Sequence, residues 1–273
     1  MLLRIIAGLS AVLSIILPVC SGLTLWLVPV LFVGFVLVLL LLSFLILCAF
    51  SAAVDMDKPQ ENDSRLYRRV MHLYIEALIP LVGLKTETAG LEKTPADGRF
   101  LLVCNHQNES DPGILLHFFR DSQLAFISKK ENKSMFVVGK FMHKILCQLV
   151  NRENDREALK TILKCIQLIR EDKVSIGVFP EGGILVKDKL SHFRSGVFKI
   201  AQKTKVPIVV CTLKGTSDLF HNMKRLKPTQ VRLHLVDVIP AEEVAAANTV
   251  ELGEKIYRMM LDDLGPDFDP ESV

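Results

Sequence analysis

Three short polar clusters in the 273-residue chain carry residue types able to do chemistry together. The first is Asn105-His106-Gln107-Asn108-Glu109-Ser110-Asp111. A carboxylate on one imidazole nitrogen fixes the tautomer and leaves the other nitrogen free as a base, so His106 with Asp111 is a candidate for taking a proton from a hydroxyl. The plainer alternative makes Asp111 a helix N-cap and His106 a loop residue. The second cluster, Asn151-Arg152-Glu153-Asn154, offers a guanidinium whose planar fork suits a phosphate. The alternative there is a surface ion pair with Glu153, Asp155 or Glu157. The third is Phe179-Pro180-Glu181-Gly182-Gly183, where two glycines permit positive φ or close backbone approach to an anion or a hydroxyl. It also reads as a plain strand-ending turn.

Each cluster follows an apolar stretch, so the elements that must position them are strands. Leu84–Ala89 and Arg99–Cys104 read as strands around the turn at 95–98. Leu124–Ile127, Val174–Phe179, Ile208–Leu213 and Val231–Val238 read as further strands. Helices are expected from Asp111-Pro112, with Asp111 as N-cap and Pro112 as first helical residue, and over Met135–Cys147, Asp155–Arg170, Gly196–Thr204 and Val250–Leu264. Strands interleaved with helices predict an α/β domain with a mixed, largely parallel sheet flanked by helices. In such sheets ligands bind beyond the carboxyl ends of the strands.

Composition places this domain behind an apolar segment. Half of the residues are hydrophobic, and residues 1–54 carry one formal charge, Arg4. A bilayer core of ~30 Å takes about 20 helical residues. Leu2–Leu17 reaches that length with Val19–Ser21 added, and Leu23–Val54 exceeds it, so an antiparallel transmembrane helical hairpin joined near Pro18–Leu25 is expected over 1–54. A signal peptide is the rival reading. Arg65, Arg68 and Arg69 follow closely and place the downstream side in the cytoplasm. Residues 55–64 form a polar linker, 65–264 the globular domain and 265–273 an acidic tail. Arg65–Leu78 is an amphipathic helix that lies either in the lipid interface or on the domain core.

The six cysteines show no C-x-x-C spacing, which fits reduced thiols rather than zinc or disulfides. No metal site is indicated. His117, His143, His192, His221 and His234 are scattered. Nucleic acid is excluded by the lack of a basic tract. The net charge is +3, with five acids and no base in residues 262–273, so the remainder of the domain is basic and suits an anionic membrane or a phosphorylated substrate.

Taken in order, the clusters resemble the 1-acylglycerol-3-phosphate (lysophosphatidate) acyltransferase family. Its Asn-His-x4-Asp block is met at Asn105, His106 and Asp111. Its arginine block is met at Arg152, its Phe-Pro-Glu-Gly-Thr block at Phe179–Gly182 and its Val-Pro-Ile block at Val206, Pro207 and Ile208. Lys129-Lys130-Glu131 and Phe193-Arg194-Ser195-Gly196 also look like family features. The resemblance covers about residues 65–240. It implies a glycerolphosphate acyltransferase-like fold in phospholipid biosynthesis, moving an acyl group from acyl-CoA or acyl-carrier protein to the sn-2 hydroxyl of lysophosphatidic acid, with no other cofactor. His106 and Asp111 would be catalytic. Arg152, Glu181 and Gly182, with Lys129 and Lys130, would hold the glycerol phosphate. The implied setting is a membrane, as a bacterial plasma membrane protein with a cytoplasmic catalytic face. Gly183 stands where the family has threonine, and the arginine that often follows is absent. This leaves open a different lysolipid acceptor. A catalytically silent lipid-binding protein and a thioesterase remain as other readings.

Overall fold

The computed structural model describes residues 1–184 and 186–271. Leu185 and the last two residues of the expected acidic tail lie outside the described residues. Among the described residues seven strands form one sheet: β1 (Leu84–Ala89), β2 (Leu101–Cys104), β3 (Leu124–Lys129), β4 (Gln148–Val150), β5 (Ser175–Val178), β6 (Ile208–Lys214) and β7 (Thr229–Ile239), in the order β1-β7-β6-β2-β5-β3-β4. All neighbours are parallel except β6 and β7. β2, β5 and most of β6 are buried without alternation and are mostly apolar, as parallel strands between helical layers must be, with Ser175 and Thr212 as buried polar exceptions.

Ten helices accompany the sheet among the described residues: α1 (Leu2–Ser21), α2 (Val28–Ala52), α3 (Arg65–Leu81), α4 (Asp111–Phe118), α5 (Val138–Lys144), α6 (Asp155–Arg170), α7 (Lys199–Thr204), α8 (Leu219–Lys224), α9 (Ala241–Ala246) and α10 (Thr249–Leu264). They divide the core into two layers. On one face Leu168, Ile200, Val244, Ile256 and Met260 meet Leu101, Val103 and Ile176. On the other, Leu115, Phe119 and Ile145 meet Leu102, Phe126 and Leu233. Helix α6 has the boundaries its sequence predicts, because Asn154 caps it by accepting the Arg156 and Glu157 N–H groups.

The apolar segment departs from expectation in one respect. Pro18 does not end α1. The helix runs through it to Ser21 and stops at Gly22, which takes the left-handed conformation (φ 67°). Residues 25–52 follow as a helical run after a one-turn 3₁₀ start, and both runs are long and apolar enough to cross a membrane. Residues 43–54 dock on the domain. The Tyr74 hydroxyl donates to the Ser43 carbonyl (2.6 Å), the Tyr67 hydroxyl donates to the Phe50 carbonyl (3.0 Å), and the Ser51 hydroxyl donates to the Phe136 carbonyl.

Helix α3 turns Met71, Ile75 and Ile79 to the core, so it packs on the domain, and it leaves Leu66, Leu78 and Leu81 exposed. The polar linker is docked rather than loose. Asp63 is buried against Arg68 (2.8 Å), whose guanidinium also donates to the Leu124 carbonyl (2.9 Å). At the other end Phe268 is buried, and its carbonyl accepts the Leu190 N–H (2.8 Å). The acidic stretch therefore begins as part of the core. His234 is structural: Asp263 of α10 is held by Thr212 (2.5 Å), His234 (2.6 Å) and Arg232 (3.0 Å).

Candidate active site

Strands β2, β3, β4 and β5 run in one direction, so the segments after them meet at one end of the sheet. His106 follows β2 and Lys129 ends β3. Arg152 follows β4, and Glu181 and Gly182 follow β5. The three sequence clusters, far apart in the chain, thus converge there.

The His106 loop is fixed at each residue. Asn105 is buried and imitates a strand residue: its Nδ2 donates to the Leu213 carbonyl (2.9 Å) and its Oδ1 accepts the Leu213 N–H (2.7 Å), clamping the loop to β6. Asp111 is fully buried. Its Oδ2 takes the Gln107 N–H (2.7 Å), the Asn108 N–H (2.8 Å) and His106 Nδ1 (3.0 Å). Asp111 is therefore the first residue of α4, and Ser110 holds the N-cap position, correcting the capping expectation. The carboxylate reaches back into the loop instead of forward along the helix. Its Oδ1 is buried with no hydrogen-bond partner among the described residues. A buried, under-satisfied carboxylate oxygen is costly, and a positive charge forming on the adjacent imidazole offsets that cost.

The imidazole plane is set by a stack of rings. His106 lies on Phe179 (centroids 4.2 Å apart, planes 18° apart), and Phe179 lies on Phe126 (5.5 Å, 13°). Phe126 finds room because Gly177 of β5 lacks a side chain; a Cβ there would sit 2.5 Å from the Phe126 ring. With Nδ1 committed to Asp111, Nε2 makes no protein hydrogen bond among the described residues. Cys104, next to Asn105, is buried, and burial pushes its thiol well above the ordinary range, which disqualifies it as a thiolate nucleophile.

Glu181 differs from its expected place on the substrate. It is 3% exposed, and both oxygens are occupied: Oε1 accepts the His106 N–H (2.7 Å) and Oε2 the Ser191 N–H (3.0 Å). It ties the β2 and β5 loops to the segment before Arg194. Burial pushes its carboxyl up to about 7, against the lowering pull of the two N–H donors and His106. Gly182 is a platform. It adopts φ 77°, and a Cβ there would lie 2.7 Å from Arg194 Nε, so the Arg194 side chain crosses directly over it. The Arg194 N–H donates to the Pro180 carbonyl (2.8 Å).

Arg194 is the functional candidate that sequence reasoning left without a role. Its guanidinium lies near that of Arg152. Desolvation first, and then Arg194, hold Arg152 below the usual arginine range, while Glu131 acts the other way. Neither guanidinium has an ion-pair or side-chain hydrogen-bond partner among the described residues. Two neighbouring cations without a bonded carboxylate make a receptor for an anion such as phosphate. Lys129 is exposed and 3.9 Å from Glu109 of the His106 loop, and exposed Lys130 follows it; the structure brings both to the rim rather than the centre.

Comparison with known proteins agrees with this geometry. A family model described as Acyltransferase matches residues 85–214. A probable 1-acyl-sn-glycerol-3-phosphate acyltransferase of Mycoplasma pneumoniae is 32% identical over 202 residues, covering 72% of this chain and 73% of that protein. The chain belongs to the 1-acylglycerol-3-phosphate acyltransferase family. A 1-acyl-sn-glycerol-3-phosphate acyltransferase of Bacillus subtilis is 31% identical over 174 residues, covering 62% of this chain and 84% of its own. The fold is shared with the crystal structure of the 1-acyl-sn-glycerophosphate acyltransferase of Thermotoga maritima, with a TM-score of 0.62 at 19% identity over 80% of this chain and 86% of that one. The acyltransferase fold and class read from the sequence are thereby established.

Proposed function

We propose that the protein transfers a fatty acyl group from an acyl thioester, acyl-CoA or acyl-carrier protein, to the sn-2 hydroxyl of lysophosphatidic acid, giving phosphatidic acid. The observation that carries this reading is one site holding both a buried Asp111–His106 pair with a free Nε2 and, across Gly182, the unpaired guanidiniums of Arg152 and Arg194.

His106 Nε2 takes the proton of the sn-2 hydroxyl as that oxygen bonds to the thioester carbonyl carbon. Asp111 keeps the proton of the neutral ring on Nδ1 and stabilises the imidazolium that forms. The tetrahedral intermediate collapses, the carbon–sulfur bond breaks, and the departing sulfur receives the proton from Nε2. Acyl group and proton both balance without a covalent enzyme intermediate. Arg152 and Arg194 bind the acceptor phosphate, and Lys129 and Lys130 supply positive potential at the rim. Glu181 and Gly182 act on the acceptor through the loops they hold.

The hairpin anchors the domain at the cytoplasmic face of a bacterial plasma membrane, where acceptor and product are lipids and the donor arrives from water. Full-length protein in nanodiscs, given lysophosphatidic acid and each thioester, should yield phosphatidic acid by mass spectrometry, and His106→Ala should yield none. Absence of product with both donors from folded protein refutes this acceptor. Equal product from His106→Ala refutes the mechanism.

A further inference from the structure

The turn from α8 into β7 projects at the catalytic end of the sheet and has no role in the site above. Its sequence, Met223-Lys224-Arg225-Leu226-Lys227-Pro228, places three bases in four residues between large apolar side chains. Leu226 is 95% exposed and adopts φ 53°, a left-handed backbone that a leucine disfavours. The turn is nevertheless built. Asn222 accepts the Arg225 and Lys227 N–H groups through its carbonyl (3.0 Å each), and the Leu226 N–H donates to the Met223 carbonyl (3.1 Å). Phe220 and Met223 are also exposed. Among the described residues, none of Lys224, Arg225 and Lys227 is ion-paired.

Location indicates what covers this surface. The Thr216 hydroxyl, in the turn before α8, donates to Gln107 beside His106 (3.4 Å). The Thr229 N–H donates to the Gly83 carbonyl (2.9 Å), and the Cβ position of Gly83 is 3.4 Å from Pro228 Cα. The turn therefore adjoins the end of α3, where Leu78 and Leu81 are exposed and where Met1, Leu3, Arg4 and Ile5 of the first apolar run line a cleft with Glu76, Ala77 and Pro80. It lies at the end of α3 against which the first apolar run begins, where the Met1 amino group meets Glu76 (2.6 Å).

We propose that the Phe220–Lys227 turn is a second membrane contact, inserting Leu226 and its apolar neighbours at the acyl boundary while Lys224, Arg225 and Lys227 engage anionic lipid headgroups. An amphipathic element with bases flanking exposed apolar residues has this partner chemistry. The contact fixes the domain at two points and holds the mouth of the site against the bilayer. The proposal rests on the reading of 1–54 as a membrane hairpin, and its test needs no turnover.

Trp26 is the only tryptophan, so L226W in a W26F background makes a single reporter on the full chain. In nanodiscs containing phosphatidylglycerol with brominated acyl chains, the reporter should be quenched about twofold and blue-shifted. Both effects should be lost in nanodiscs of phosphatidylcholine alone with the same brominated chains, at 0.5 M salt, and in K224E/R225E/K227E. Because all these positions are exposed, thermal midpoints should match the parent, and the salt arm tests the same point with no further substitution. Emission equally open to aqueous acrylamide in both lipids overturns the proposal. So does protection that appears only when acyl-carrier protein is added, which would make the turn a protein-docking surface.

Discussion

Glu181→Gln separates two roles that the structure combines in one carboxylate. The folded value of about 7 exceeds the 4.5 of an ordinary glutamate, because burial penalises the charged form. Between these values the folded chain binds more proton than the unfolded chain. This contribution to stability is therefore complete below pH 4.5 and lost as pH rises through 7. A shift of this size corresponds to about 3 kcal/mol at 1.36 kcal/mol per unit. Glutamine has no charge to desolvate, so the wild type should lose about that much relative to the variant between pH 5 and pH 8. For a domain of this size that is roughly 6–12 °C in the difference between their midpoints. A thiol-reactive dye can follow unfolding, since Cys104, Cys165 and Cys211 are buried. Activity should move the other way. Glutamine offers one acceptor oxygen to the two N–H groups of His106 and Ser191, so one charge-assisted bond, worth about 1.5–3 kcal/mol, is lost. The value of kcat at pH 8 should fall about 10- to 100-fold. A midpoint difference that is the same at pH 5 and pH 8 would refute the assigned burial cost. An unchanged kcat would refute the positioning of His106 by Glu181.

Asp111→Asn keeps an oxygen for the Gln107 and Asn108 N–H groups but presents the wrong partner to His106 Nδ1; kcat should fall by about 10³–10⁴ with little change in KM, as steady-state kinetics would show. Arg152→Ala and Arg194→Ala should each raise the KM for lysophosphatidic acid about tenfold or more, while rates on a monoacylglycerol lacking phosphate stay the same; an equal effect on both acceptors would remove the two arginines from phosphate binding. His72 of α3 is buried with neither ring nitrogen bonded among the described residues, and desolvation holds its pKa down at about 4. The folded chain then binds less proton than the unfolded chain between pH 6.5 and 4, so acidification through that window should cost the wild type roughly 1–3 kcal/mol that His72→Leu does not lose, measured as midpoint against pH.

The sequence made most of the fold legible where period and capping agree. Asp155–Arg170 has an apolar stripe and an asparagine before it, and its limits are as expected. Strand β4, three residues of intermediate burial, has too little pattern to separate it from the loop that follows; α8 and α9 are six-residue helices whose existence depends on what they pack against. His106, Asp111 and Arg152 were legible as types in order, and the parallel sheet accounts for their meeting. The role of Glu181 was not, because an acid before two glycines suggests exposure and only the tertiary fold buries it. Arg194 left one signal: a third block without its usual arginine, followed ten residues on by an arginine in the Phe193–Gly196 turn. The 265–273 stretch shows the converse failure, where net charge concealed Phe268 as a core residue.

The single antiparallel pairing among the described residues, β6 with β7, bears on how the proposed lipid acceptor would reach the site. Because β1 runs parallel to β7, that one reversal makes β1 start beside the last residues of β6. Had β7 run parallel to β6, the start of β1 and the end of α3 that feeds it would lie at the opposite end of the strands. At about 3.3 Å per residue the seven residues of β6 span ~23 Å, comparable with most of a bilayer's hydrocarbon thickness. An acceptor would then have to leave its leaflet entirely before its hydroxyl met His106. With the reversal, an acceptor of the proposed kind would need to rise only far enough for its headgroup to clear the surface, and its hydrocarbon tail would stay behind.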